Sequence, residues 1–245
     1  MNYSYVKEKF LEYVNCFDVN NSEIALKIEH SMQTGELANT FAFLLKLNKE
    51  ETELIKVISI LHDIGRFEQL AEYHTYSDYK SVDHGDLGVK ILFEDGLIKK
   101  FIETRECDEI IYDAIKIHNK YEIPHSIADK NLKFVKLIRD IDKIDIFRVM
   151  TTHKVNELKA PMRDVTLKTF YNKKTLLNKD CKNTSDKTIN QMALIFDLNF
   201  KESIDVLNDN QYYKNFIDSI DVSKKNEEEF NKMKKFVRDN TNLNI

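Results

Sequence analysis

Residues 61–67 read LHDIGRF, and their setting decides how the chain is read. Upstream, Leu54, Val57, Ile58, Leu61 and Ile64 recur at intervals of three and four, the spacing of one buried helix face in a segment that starts near Lys49. Gly65 is expected to stop that helix. His62-Asp63 then offers an imidazole and a carboxylate from adjacent positions. Neighbouring helix positions point about 100° apart, so both can meet one ion only at a helix end or a distortion. Taken alone the pair has a plain alternative, a histidine capping the last turn.

Working outward, a long helix is predicted from about Ser22 to Leu47, with Leu26, Leu37, Phe41 and Leu44 as its apolar stripe and Asn21 or Ser22 as its cap. His30 lies in that stripe, where an imidazole needs a partner. A second strong helix is predicted from Leu132 to Met150 and offers Asp140, Asp142 and Asp145. Asp142 is in line with Val135, Ile138 and Ile146, an apolar row. Asp140 is in line with Lys133, Lys136 and Lys143, which reads as a solvated face with ion pairs. Asp142 is therefore the expected buried carboxylate, and burial without a cation is costly.

The set His30, His62-Asp63 and Asp142 resembles the H…HD…D signature of the HD superfamily of metal-dependent phosphohydrolases. His84-Gly-Asp-Leu-Gly88 is similar to the H-x-x-x-G segment of its dinuclear members, and His118, in KIHNKYEIP, to their next histidine. HDIGR resembles the HDIG(K/R) form, with Arg66 at its basic position. The helical 5′-nucleotidase branch would have Glu there. Asn119 stands where a second histidine would follow His118, and no GYP is present, which removes the specific argument for cyclic di-GMP. The resemblance implies an all-α, compact helical bundle of the HD-domain type, with its core at about 20–150. Additional C-terminal helices, about 151–245, would pack on it in a single domain.

Composition agrees with long helices. Five Gly and two Pro among 245 residues are too few for a turn-rich β-sandwich or barrel. The net charge of −4 does not point to a nucleic-acid polymer. Cys16, Cys107 and Cys181 are odd in number and widely spaced, as in a reducing cytoplasm. MNYSYVKEKF has no signal-peptide pattern, and no apolar run approaches a membrane span, so a cytoplasmic protein without membrane attachment is expected. Arg66–Val82 reads as a polar, aromatic loop. Helical pattern returns over Asp83–Phe93 and, in two pieces, Leu97–His118, with Asn119–Lys130 as a loop. Beyond His153 the pattern weakens. Lys173–Lys187 is a loop or hairpin, and helices are expected at Gln191–Phe200, Asp209–Ile220 and Glu227–Arg238.

Roles follow from charge and from the resemblance. His30, His62, Asp63 and Asp142 would bind one divalent ion, and His84 and His118 a second, with Asp63 bridging. The ions could be Mn, Fe, Mg, Co or Ni. Asp63, Arg66 and Lys143 are the candidate catalytic groups. Arg66, Lys143, Lys120 and Gln69 are the candidate contacts to a small phosphorylated substrate, a nucleotide among the options. A surface ion pair is the alternative for Arg66, and a solvated face for Lys143. Tyr73, Tyr76 and Tyr79 would either stack on a base or pack the loop onto the core. His74, His125 and His153 are expected to be exposed. Two rivals share the motif: a di-iron oxygenase of the HD fold, and a nucleotide-binding sensor without turnover. The sequence does not settle the oligomeric state.

Overall fold

A computed structural model of the chain describes residues 1–153 and 156–245; the side chain of His153, and with it the expected exposure, lies outside what is described. The described residues are helical apart from turns, loops and one two-residue parallel pairing, Glu157–Leu158 with Asp221–Val222. The chain divides into two compact units, Met1–Asp142 and Lys143–Ile245. Among the described residues, no helix is long and apolar enough to cross a membrane.

The first unit opens with α1 (Tyr3–Val14), a helix the sequence reading did not anticipate. Its stripe Tyr3, Val6, Phe10 and Val14 is buried, and Phe10 meets Phe67 edge to face. Next come α2 (Ser22–Leu44), capped by the Asn21 side chain, and α3 (Lys49–Leu61), which starts in a reciprocal capping box between Asn48 and Glu51. The Thr34 hydroxyl on α2 donates to the Ser59 carbonyl on α3 at 3.0 Å, pinning the pair together.

Gly65 does not end the structure as expected; it begins α4 (Gly65–Tyr73). The predicted loop at 66–82 is therefore half helix, because Phe67 and Leu70 have an apolar core to enter. Gly65 is needed for proximity. A Cβ there would fall 2.3 Å from the His84 carbonyl oxygen and 2.7 Å from the Gly88 nitrogen, at the start of α5 (His84–Val89). α5 is capped by the Asp83 carboxylate and runs into a π-helical turn, Lys90–Glu94. α6 (Ile98–Phe101) and α7 (Asp108–Ile117) follow, in two pieces as predicted, and then α8 (Asp129–His153).

The division between the units falls within α8. That helix is buried on more than one side: Phe134, Val135, Leu137, Ile138, Ile141, Ile144 and Phe147 are all buried. Asp140, expected on a solvated face, is fully buried. The lysine row at 133, 136 and 143 does not mark solvent on this helix, since Lys143 is buried as well.

The second unit holds α9 (Asp164–Tyr171), α10 (Thr184–Ala193), α11 (Glu202–Asn210), α12 (Tyr212–Asp218) and α13 (Glu227–Thr241). The helix expected at Gln191–Phe200 lies earlier, since the Asn183 side chain caps α10 and residues 194–197 form a tight 3₁₀ turn. α9 and α11 were not anticipated. Phe147, Tyr213 and Phe216 form one aromatic centre, and the Tyr213 hydroxyl donates to the Met192 carbonyl. Asp186 is buried. It accepts bonds from the Thr166 hydroxyl, Arg163 Nε and the Lys182 backbone N–H at 2.6–2.8 Å.

Candidate metal centre

The chain between α3 and α4 makes the break that His62-Asp63 requires. His62 follows the last residue of α3, and tight turns bond Ile64 N to Leu61 O and Arg66 N to Asp63 O. Both side chains thereby turn inward; His62 is fully buried and Asp63 nearly so. α2 contributes His30. α5 contributes His84, drawn close by the tight approach at Gly65. His118 follows the last residue of α7, and Asp142 comes from α8.

These six side chains converge on Asp63 in two sets. In the first, His30 Nε2 lies 3.2 Å from His62 Nε2 and 3.1 Å from Asp142 Oδ1. His62 Nε2 is 3.5 Å from the same carboxylate oxygen. Asp63 Oδ2 completes the set at 3.6 Å from His30 and 3.7 Å from His62. In the second, His84 Nε2 and His118 Nε2 are 3.0 Å apart, and Asp63 Oδ1 is 3.3 and 3.6 Å from them. Ligand atoms about 2.1 Å from one ion stand roughly 3.0 Å apart at octahedral right angles and roughly 3.4 Å apart in a tetrahedron. Both sets have that spacing.

The imidazoles are also turned the right way. His62 Nδ1 donates to the Ser59 carbonyl and His118 Nδ1 to the Ile115 carbonyl, each at 2.6 Å. His84 Nδ1 donates to Asp78 Oδ2 at 2.8 Å. With the proton on Nδ1, the neutral ring aims the lone pair of Nε2 at the centre, the arrangement that metal-ligating histidines use. Two such lone pairs 3.0 Å apart repel unless a cation lies between them. The donor set fits one or two divalent ions.

The electrostatics agree. Burial raises the Asp63 carboxyl, but the Lys27 ammonium and the surrounding imidazoles of His62, His118 and His84 outweigh it and hold it well below the ordinary range. Asp142 is held low in the same way, against burial, by the imidazoles of His30 and His62. Burial pushes His118 down to about 4. At neutral pH the site therefore keeps anionic carboxylates and a neutral His118.

The remaining candidates have other surroundings. Arg66 is mostly buried, and its Nη1 donates to Gln69 Oε1, the Tyr76 carbonyl and Asp78 Oδ1 at 2.6–2.9 Å. Its Nε, 3.7 Å from Asp63 Oδ1, is buried without a hydrogen-bond partner among the described residues. Gln69 is fully buried, and its amide donates to Asp78, Ser81 and the Val82 carbonyl, so it braces the 76–82 segment. Lys120 pairs with Asp83 and Asp86 at 2.8 Å. Lys143 belongs to the second unit, where its ammonium is 3.0 Å from Asp197. Gln69 and Lys120 are thus engaged by protein partners of the first unit, and Lys143 by Asp197 of the second. Tyr76 packs with its hydroxyl on the Glu23 carbonyl, while Tyr73 and Tyr79 are exposed, as are His74 and His125.

Three residues of the site carry no motif. Lys27 places its ammonium 2.6 Å from Asp63 Oδ2; it lies one turn before His30, and that spacing was the available signal. Asp78 gathers bonds from His84, Arg66, Gln69 and Asn119. Arg139 is buried, and its Nη1 spans the carbonyls of Ile117, His118 and Lys120 at 2.6–3.3 Å, closing the chain that carries His118.

Compared with the models of known families, residues 28–146 match the HD domain, a span that contains all six converging side chains. No curated protein and no solved structure matches the chain. The match and the two donor sets agree: residues 28–146 are an HD domain, a domain of the metal-dependent hydrolase type.

Proposed function

We propose that the chain is a metal-dependent phosphohydrolase that cleaves a small phosphomonoester or phosphodiester, nucleotides included, with one or two divalent ions from Mn, Fe, Mg, Co and Ni. The observation that carries this reading is the division of Asp63: Oδ2 faces His30 and His62, while Oδ1 faces His84 and His118. One carboxylate thus serves two adjacent donor sets. When bound, such ions act as Lewis acids toward water and phosphoryl oxygens and clamp an in-line displacement.

The residues of the chain do the remainder. His30, His62, Asp63 and Asp142 would hold one ion, and His84, His118 and Asp63 the other. Asp78 fixes the tautomer of His84. Three carboxylates, Asp63, Asp78 and Asp142, stand against two cations, Lys27 and Arg66. Divalent ions added to that balance turn the site net positive, which favours an anionic substrate. Arg66 brings a guanidinium beside the Asp63 carboxylate, its Nε 3.7 Å from Asp63 Oδ1, and supplies the second of these cations to such an anion. The weakly acidic composition supports a small ligand over a nucleic-acid polymer, and three free cysteines support a cytoplasmic setting.

The test is elemental analysis of protein purified without added metal or chelator, followed by a panel of phosphatase and phosphodiesterase substrates with Mn²⁺ and Mg²⁺. Turnover with either redox-inert ion supports hydrolysis. Oxygen consumption that depends on iron, without phosphate release, overturns it in favour of a di-iron oxygenase. Tight nucleotide binding without product overturns it in favour of a sensor.

A further inference from the structure

The Lys27 ammonium is 2.6 Å from Asp63 Oδ2, the oxygen that also faces His30 and His62. A divalent ion held by His30, His62, Asp63 and Asp142 would compete with the ammonium for that same oxygen. Two such cations repel strongly in a site as dry as this one, where Asp63 keeps 3 % of its side-chain surface. The lysine is not fixed as Arg66 is. Its side chain is 20 % exposed, and beyond Asp63 it has the Tyr76 ring, 5.7 Å from its nitrogen. Arg66 stands over the same ring at 5.7 Å, so the two cations that neighbour Asp63 share one aromatic partner.

We propose that Lys27 is a resident counter-cation of the centre: it balances Asp63 Oδ2 before loading, yields that oxygen to the divalent ion, and then offers its ammonium to an anionic oxygen of the substrate. The proposal rests on the metal-dependent reading above. It makes Lys27 a substrate-contacting residue whose presence weakens metal binding, a combination that neither a structural ion pair nor a metal ligand produces.

The experiment is a calorimetric titration of the full chain with Mn²⁺ alone, then of the Mn²⁺-loaded chain with inorganic phosphate, for wild type, Lys27→Gln and Lys27→Arg. Lys27→Gln is expected to bind Mn²⁺ about tenfold tighter and phosphate about tenfold more weakly. Lys27→Arg keeps the charge and is expected to stay near wild type for Mn²⁺. Circular dichroism verifies that each variant is folded, and Lys27→Met replaces Lys27→Gln if the glutamine variant is not. Unchanged or weaker Mn²⁺ binding in a folded, charge-free variant overturns the proposal, and so does unchanged phosphate binding. Wild-type chain that takes up no Mn²⁺ overturns instead the metal-dependent reading itself.

Discussion

Asp63 in the first unit and Asp186 in the second are both buried carboxylates held below the ordinary range, yet their surroundings differ in kind. Around Asp186 the protein supplies the donors: a hydroxyl, a guanidinium and a backbone N–H, all within 2.8 Å. Around Asp63 it supplies one ammonium at 2.6 Å, the Arg66 Nε at 3.7 Å and four imidazole nitrogens at 3.3–3.7 Å. Three of those rings have their Nδ1 protons committed elsewhere. Depth and charge therefore do not separate a structural acid from a ligand. What separates them is whether the protein itself completes the coordination of the carboxylate or surrounds it with further electron pairs.

The largest test of that contrast is Asp63→Ala. It removes the oxygen shared by both donor sets, so Mn²⁺ stoichiometry is expected to fall toward zero and turnover by more than about a hundredfold, beyond the loss typical of an outer-shell change. Far-UV circular dichroism should retain the helix content. Full metal occupancy in the folded variant would erase the distinction drawn between the two acids.

A finer test concerns a residue that touches neither ion nor substrate. Arg139 holds the carbonyls of Ile117, His118 and Lys120 three residues before Asp142 on the same helix, so α8 reaches both donor sets, one through Asp142 and the other through the His118 backbone. Arg139→Lys cannot span three carbonyls from one planar group. The weaker of two Mn²⁺ sites is expected to lose about ten- to a hundredfold in affinity while the tighter one is retained. A titration in which both sites weaken alike would make Arg139 a general prop.

How much of this the sequence disclosed follows the same line. Residues whose chemistry is carried by type and spacing could be read: His30, His62-Asp63, His84, His118 and Asp142 come from five separate elements and the structure groups them. Elements with clean stripes, α2, α3 and α8, could be read as well. α4 could not, because Phe67 and Leu70 are diluted by Arg66, Glu68 and Gln69, whose polar groups turn out to serve the interior as well as the surface. Asp140 was misread since a charged row marks solvent only on a helix with a wet side. Lys27, Asp78 and Arg139 act by where the chain returns in space. Asp78 meets His84 six residues on, yet Asn119 forty-one residues away, and no local pattern records the second contact.

The smallest expected effect belongs to Asp186, and it tests the other half of the contrast. Asp186→Asn keeps the shape and removes the charge that Arg163 and the Lys182 N–H address. A buried acceptor that loses charged partners costs about 1–3 kcal/mol, which urea denaturation at pH 7 should resolve. Mn²⁺ stoichiometry should be unchanged. The pH dependence has a fixed sign. Burial raises the Asp186 carboxyl, but Thr166, the Lys182 N–H and Arg163 outweigh it, so the folded value lies below the unfolded one of about 3.9. Below that unfolded value the unfolded chain takes up the proton first, so the stabilisation is fully present above about pH 4 and is lost as pH falls through the folded value. The gap between wild type and Asp186→Asn should accordingly be constant from pH 7 to 5 and close in more acid solution. A gap that stays constant into acid would mean that the amide's shape, not the carboxylate's charge, sets the difference, and an accompanying loss of Mn²⁺ would place Asp186 in the same class as Asp63.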